Sequence, residues 1–230
     1  MRDSFVFIFF MEINIECLPK AIFVTGIGTD VGKSWATGWL AAQLRKQGVK
    51  CITQKFIQTG NKDYSEDICV HRKVMRIQPE PRDEDHTTAP VILSYPASPH
   101  LAERLDGVIV DYSVVAESTK KLLTEYDCVL IEGAGGIAVP LRGDRLTIDY
   151  VREEGLPAIV VTNGQLGSIN HTILTLEALG KAGIEVWAVI YNPYFDKDEV
   201  IANDNVRYIR EWLGIHFPHT QYLRMPEKVL

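Results

Sequence analysis

Apolar residues in this chain come in short runs closed by glycine, and each run is followed by a longer stretch in which apolar positions recur at helical spacing. "KAIFVT" (20–25) ends at Gly26 and reads as a buried strand. In "KSWATGWLAAQLRKQG" (33–48), Trp35, Trp39, Leu40 and Leu44 lie near helical spacing and Gly48 stops the helix. The alternation continues with a strand at 49–56, a helix at 65–75 with Ser65 at its cap, a helix at 112–126 and a strand at 127–133 that runs into glycines. A short helix at 146–155, a strand at 157–163, a helix at 168–183 capped by Ser168, a strand at 184–192 and a last helix at 197–214 complete the series. Residues 78–99, rich in proline and charge, read as a long loop or an excursion from the sheet. Strands alternating with helices predict an α/β fold with a mostly parallel central sheet and helices on both faces. Ligands of such sheets bind beyond the carboxyl ends of the strands, so the chemistry is sought just after each strand.

The length of 230 residues, with no repeat and no linker, fits a single domain at 20–230 preceded by an extension at 1–19. "FVFIFFM" (5–11) has only Arg2 before it and no small-residue cleavage site after it, which argues against a signal peptide. Met11 is a second candidate start, which would make the first ten residues a mis-assigned leader. No apolar run reaches the ~18 residues that cross a membrane. The net charge of −6 argues against nucleic acid as the main partner, because phosphate backbones attract basic surfaces. Cys17, Cys51, Cys69 and Cys128 show no CxxC spacing, so a reducing, cytoplasmic setting is expected.

"VTGIGTDVGKS" (24–34) follows the first strand. The usual phosphate loop is G-x-x-x-x-G-K-[ST], whereas Gly26 and Gly32 here have five residues between them. The physical logic survives the misfit. Glycines let backbone N–H groups turn inward, a helix starts at Lys33, Lys33 can reach terminal phosphates, and Ser34 can place its hydroxyl on Mg²⁺. Gly28 stands where deviant-loop ATPase switches carry a second lysine, which argues against the partitioning and cell-division-site ATPases. A nucleotide switch that docks a partner protein stays as the alternative from another functional class.

The other strand ends supply "QKFIQTG" with Lys55 and Thr59, "IEGAGG" with Glu132, and "NGQLGSINH" with Gly167 to Asn170 at a helix start. A carboxylate at the mouth of a parallel sheet is costly to bury unless paired, and beside a phosphate loop Mg²⁺ is its natural partner. By residue type alone, Lys55 reads first as a solvated strand-end lysine and only then as a site residue, and Asp67 first as an acid welcomed by a helix dipole. Gly167 to Asn170 read as an anion site or as simple capping by Ser168, and Asn192 before Pro193 as a purine reader or a turn. His216 and His219 have no helical pattern around them and are not expected to bind metal.

Together these motifs resemble dethiobiotin synthetase. The likeness covers most of residues 20–193: "VTGIGTDVGKS" with its Gly26–Gly32 separation, "QKFIQTG", "SED", "SPH" (98–100), "IEGAGGIAVPL", "LGSINH" and Asn192. The resemblance implies a P-loop NTPase-like three-layer sandwich and a ligase of biotin synthesis. Its substrates would be 7,8-diaminononanoate (7,8-diaminopelargonate), CO₂ and ATP, with Mg²⁺ as cofactor. A carbamate would form on one amine, ATP would phosphorylate it to a carbamic–phosphoric anhydride, and the neighbouring amine would close the ureido ring. Lys33 and Lys55 would be the catalytic cations. Gly28, Thr29, Asp30, Val31, Gly32, Lys33, Ser34, Trp35 and Asn192 would hold the nucleotide, and Ser34, Asp67 and Glu132 the metal. Thr29, Lys55, Thr59, Gly135, Gly136, Gly167, Ser168, Ile169 and Asn170 would hold the substrate, the last four from the other subunit of a homodimer. His100 and His171 fall inside these motifs with structural roles. Asp30 stands where family members often carry Glu, Trp35 is bulkier than usual, and "FPHTQYLRMPEKVL" (217–230) does not match the family's C-terminal nucleotide loop. A synthetase-like domain of the cobalamin pathway shares the loop type but calls for a longer chain.

Overall fold

The computed structural model describes residues 13–229, so the run at 5–11 and Met11 lie outside the described residues. The elements are β1 (Ala21–Gly26), α1 (Lys33–Lys46), β2 (Cys51–Lys55), β3 (Gln58–Thr59), α2 (Glu66–Met75), α3 (Pro81–Glu84), β4 (Ile92–Leu93), α4 (Pro99–Asp106) and α5 (Ser113–Leu122). There follow β5 (Cys128–Gly136), β6 (Pro140–Arg142), β7 (Arg145–Leu146), α6 (Thr147–Glu153), β8 (Ala158–Asn163), α7 (Ser168–Lys181), β9 (Val186–Asn192), α8 (Glu199–His216) and β10 (Gln221–Arg224). The central sheet has the order β10-β9-β8-β1-β5-β2, and every neighbouring pair is parallel. Two short pairs, β3 with β4 and β6 with β7, stand outside it.

Strand residues alternate between two cores because successive side chains point to opposite faces. Phe23, Val129, Ile131 and Val160 join one cluster with Leu122, Val151, Leu176 and Ile209 from α5, α6, α7 and α8. Ile22, Val24, Leu130, Ile159 and Val161 join the other with Ala36, Leu40 and Leu44 of α1 and Val74 of α2. Burial on both faces explains why the strands read as near-continuous apolar runs. Leu40 and Leu44 are fully buried, each contributing about 1.5–3 kcal/mol.

Several expectations need correction. Residues 78–99 are not one loop: α3 begins on Pro81, and the Glu80 backbone N–H donates to Asp83 at 2.8 Å. Local capping there outweighs the proline and charge content. Ser168 is not the cap of α7. Gly167 takes that place at φ +95°, and the Ser168 hydroxyl turns back to Asn163 Oδ1 at 2.5 Å. The last helix continues to His216, which stacks on Trp212 at 4.0 Å between ring centroids. The unassigned 217–230 stretch contains β10, which pairs with β9 at the sheet edge. Part of the expected extension is also built into the domain. Ile13 is buried, and Asn14 and the Gln221 side chain exchange hydrogen bonds of 2.9 and 3.3 Å.

Candidate active site

The carboxyl ends of β1, β5 and β2 lie side by side, and their register aligns Val24 with Glu132 and Glu132 with Lys55. That pairing brings a cation and a carboxylate, far apart in the chain, to one rim of the sheet. A cleft of about 810 Å³ opens there. Thr29, Asp30, Gly32, Lys33, Ser34 and Trp35 line it from the phosphate loop, Lys55, Thr59, Asp67, Glu132 and Gly135 from the neighbouring strand ends, and Asn192 from β9.

The loop geometry explains its glycines. Gly32 sits at φ +87° at the start of α1, and a methyl group there would run into the Asn192 amide. Asp30 is also left-handed, at φ +57°, which aspartate tolerates better than most residues. Lys33 Nζ donates to the Gly28 carbonyl at 2.9 Å. Burial lowers the Lys33 ammonium below the ordinary lysine range; the Lys55 charge adds to this, while Glu132, Asp67 and Asp30 oppose it.

Ser34 Oγ donates to Asp67 Oδ1 at 2.7 Å and lies 2.9 Å from Glu132 Oε1. Lys55 Nζ sits between the two acids, 2.5 Å from Asp67 Oδ2 and 2.9 Å from Glu132 Oε1, and also donates to the Gly133 carbonyl at 3.2 Å. Lys55 and Glu132 are buried at 4% and 1% exposure, so neither is a solvated strand-end charge. Burial opposes both ionised forms, yet the charges win. Glu132 and Asp67 hold Lys55 above the ordinary lysine range, and Lys55 with a hydrogen bond from His71 holds Glu132 well below the carboxylate range.

Among the described residues no group of three or more His, Cys, Asp or Glu is placed to hold a metal ion. The oxygen set of Ser34, Asp67 and Glu132 is nonetheless what Mg²⁺ takes: one or two carboxylates, a hydroxyl, and substrate phosphates for the remaining positions. The residues therefore fit that ion.

Other expected positions fall less directly on the cleft. Val31 turns its side chain into the core and offers its carbonyl to Asn192 Nδ2 at 3.0 Å. The Asn192 carbonyl oxygen accepts from Tyr194 N at 3.1 Å, so its amide clamps the loop to β9 as well as facing the cleft. Gly136 pairs with Gly26 beneath the loop, its backbone close to the Gly26 carbonyl. Gly167, Ser168, Ile169 and Asn170 do not line this cleft, and neither do His100 and His171. Trp35 shares the helical spacing of Trp39, Leu40 and Leu44 but is 38% exposed and lines the cleft, on the side where the resemblance places the nucleotide.

Sequence reasoning missed His71, whose Nε2 lies 2.5 Å from Glu132 Oε2. Its signal was present: His71 follows Asp67 by four residues and shares its helix face. It also missed Tyr194, Phe195, Met225, Glu227, Lys228 and Val229, which close the outer wall of the cleft. The C-terminal segment thus reaches the cleft although its sequence does not match the resembled family's nucleotide loop.

A family model described as an AAA domain matches residues 20–217. An ATP-dependent dethiobiotin synthetase of Pasteurella multocida is 42% identical over 89% of this chain and 96% of its own length. Its counterpart in Haemophilus ducreyi is 45% identical over 90% and 99%, and one from Chlorobaculum tepidum 46% over 80% and 77%. Among solved structures, the signal recognition particle receptor FtsY of Elizabethkingia anophelis, in complex with GDP, superposes with a TM-score of 0.54 at 17% identity, covering 95% of this chain and 61% of FtsY. A ParA family ATPase from Chlorobium tepidum gives 0.50 at 14% identity, covering 91% and 86%. Both share the P-loop NTPase-like fold with this chain.

Proposed function

The chain belongs to the ATP-dependent dethiobiotin synthetase family, and on that premise we propose that its cleft joins 7,8-diaminononanoate and CO₂ into a ureido ring at the expense of ATP, giving dethiobiotin, ADP and phosphate. The observation that carries this reading is the convergence of Lys33, Ser34, Lys55, Asp67 and Glu132 on one cleft at the strand ends.

A carbamate and a γ-phosphoryl group are both anionic and repel, so the protein's task is positioning and charge compensation. Lys33, at the head of α1, bridges the phosphate oxygens and the carbamate, assisted by loop N–H groups at the positive end of that helix. Lys55 neutralises the transferring group. Ser34, Asp67 and Glu132 would hold Mg²⁺, which would supply positive charge to offset that of the nucleotide's phosphates. The neighbouring amine then attacks the carbamic–phosphoric anhydride and phosphate leaves. Asn192 with Tyr194 and Phe195 borders the adenine side, and Thr29, Thr59, Gly135 and Gly136 border the substrate.

Gly167, Ser168, Ile169 and Asn170 take the distant carboxylate of a substrate bound in a second copy of this chain, making the enzyme a homodimer with shared sites. The 86% exposure of Leu166 and 60% exposure of Leu174, on and beside the same helix, support a covered face there. Among the described residues no helix is long and apolar enough to cross a membrane. Cys17, Cys51, Cys69 and Cys128 are all free, which supports a cytoplasmic setting.

The test is product formation by purified protein with ATP, Mg²⁺ and bicarbonate, with and without the diamine. Dethiobiotin and ADP should appear in equal amounts and only with the diamine. ADP release indifferent to the diamine would overturn the reading.

A further inference from the structure

The two carboxylate oxygens of Glu132 face different surroundings. Oε1 meets Lys55 and Ser34, each at 2.9 Å, on the cleft side. Among the described residues Oε2 meets only His71 Nε2 behind it, at 2.5 Å, and the His71 side chain is wholly buried. The protons along this line can be assigned. An ionised carboxylate only accepts, so His71 Nε2 carries the hydrogen. His71 Nδ1 lies 3.0 Å from Thr53 Oγ1, and that oxygen also meets Arg72 Nη1 at 2.7 Å. A guanidinium has donors and no acceptor, so Arg72 donates to Thr53, whose hydroxyl also meets His71 Nδ1 and holds the ring from behind. Arg72 is itself held by Asp83 through two contacts of 2.8 and 2.7 Å.

We propose that His71 is a positioning residue: by donating Nε2–H to Oε2 it fixes the plane of the Glu132 carboxylate, so that Oε1 is presented to the cleft in one orientation, with Thr53, itself held by Arg72, anchoring the far side of the ring. The terminal torsion of a glutamate is otherwise broad. Groups that orient a metal ligand in this way change metal affinity about 10–100-fold when removed. The proposal rests on Glu132 being a Mg²⁺ ligand in the proposed function.

The experiment is Mn²⁺ binding to the full chain in the presence of ADP, followed by the electron paramagnetic resonance signal of free Mn²⁺. His71→Leu should weaken Mn²⁺ binding about 10–100-fold. His71→Gln, whose amide N–H can meet the same oxygen, should recover most of it. If His71→Gln is as weak as His71→Leu, packing and not the donated proton is responsible, and the proposal falls. If His71→Leu binds like the parent while Glu132→Gln does not, the proposal falls and the reading of Glu132 stands. If neither variant changes binding, both fall. Should His71→Leu not fold, ¹⁵N NMR of the histidine-labelled parent decides. A ring that carries its proton on Nε2 supports the proposal, and a ring with no proton on Nε2 overturns it.

Discussion

Replacing Lys55 with methionine keeps most of the side-chain volume and removes the charge between Asp67 and Glu132. At 2.9 Å, two unit charges attract by roughly 6 kcal/mol at an effective dielectric near 20. Not all of that is lost, because Glu132 keeps the hydrogen bond from His71. Breaking one side of a buried pair typically costs about 3–5 kcal/mol, since it strands the other charge. That is a large share of the ~5–15 kcal/mol that holds a domain together, but not all of it. With a urea slope of about 2–3 kcal/mol per molar, the midpoint should fall by roughly 1–2.5 M at pH 7. The informative measurement is the cycle with Glu132→Gln. In the double variant no unpaired carboxylate remains at position 132, so it should be at least about 1.5 kcal/mol less destabilised than the sum of the single variants. Additivity within about 0.5 kcal/mol would refute the pairing on which the site's electrostatics rest.

Lys33→Ala should remove about 3–4 kcal/mol of transition-state stabilisation, read as kcat/KM, and unchanged turnover would refute its role. Gly32→Ala should lose nucleotide binding and more than about 1 kcal/mol of stability, measured by calorimetry and urea unfolding, because its left-handed backbone and the Asn192 amide leave no room for a methyl. Burial would raise the Asp83 carboxyl, but its hydrogen bonds from Arg72 hold it below the ordinary range. A carboxylate held low contributes stability that is present above its unfolded pKa, near 4, and is lost as pH falls through the folded value. Asp83→Asn should therefore cost about 2–3 kcal/mol at pH 7, with the gap to the parent narrowing below about pH 4 in urea titrations. A gap independent of pH would count against the Arg72 pair.

Much of the site was legible because its parts sit at predictable places. Lys33 and Ser34 open a helix after a glycine turn, and Lys55 and Glu132 each end an apolar run, so a rule about strand ends finds them. What escaped was what depends on partners. Asn192 read as a purine reader or a turn, and its amide makes the turn with the Tyr194 N–H; what the sequence did not show is that it also donates to the Val31 carbonyl. Ser168 looked like a cap, yet Asn163 draws its hydroxyl away and Gly167 does the turning. β10 carries too short an apolar pattern to stand out, because an edge strand needs only one neighbour to be held.

The chain's own order of residues determined the alternation of strands and helices, the phosphate loop and the set of charges at strand ends. Each of these is a local property, set by residues within a turn or two of one another. Only the tertiary structure decided that Glu132 meets His71, Lys55 and Ser34, which lie 61, 77 and 98 residues away. The same holds for the C-terminal segment, which returns to wall the cleft. Those meetings follow from strand order and register, which arise from burying both faces of one sheet at once and leave no periodic trace in the sequence.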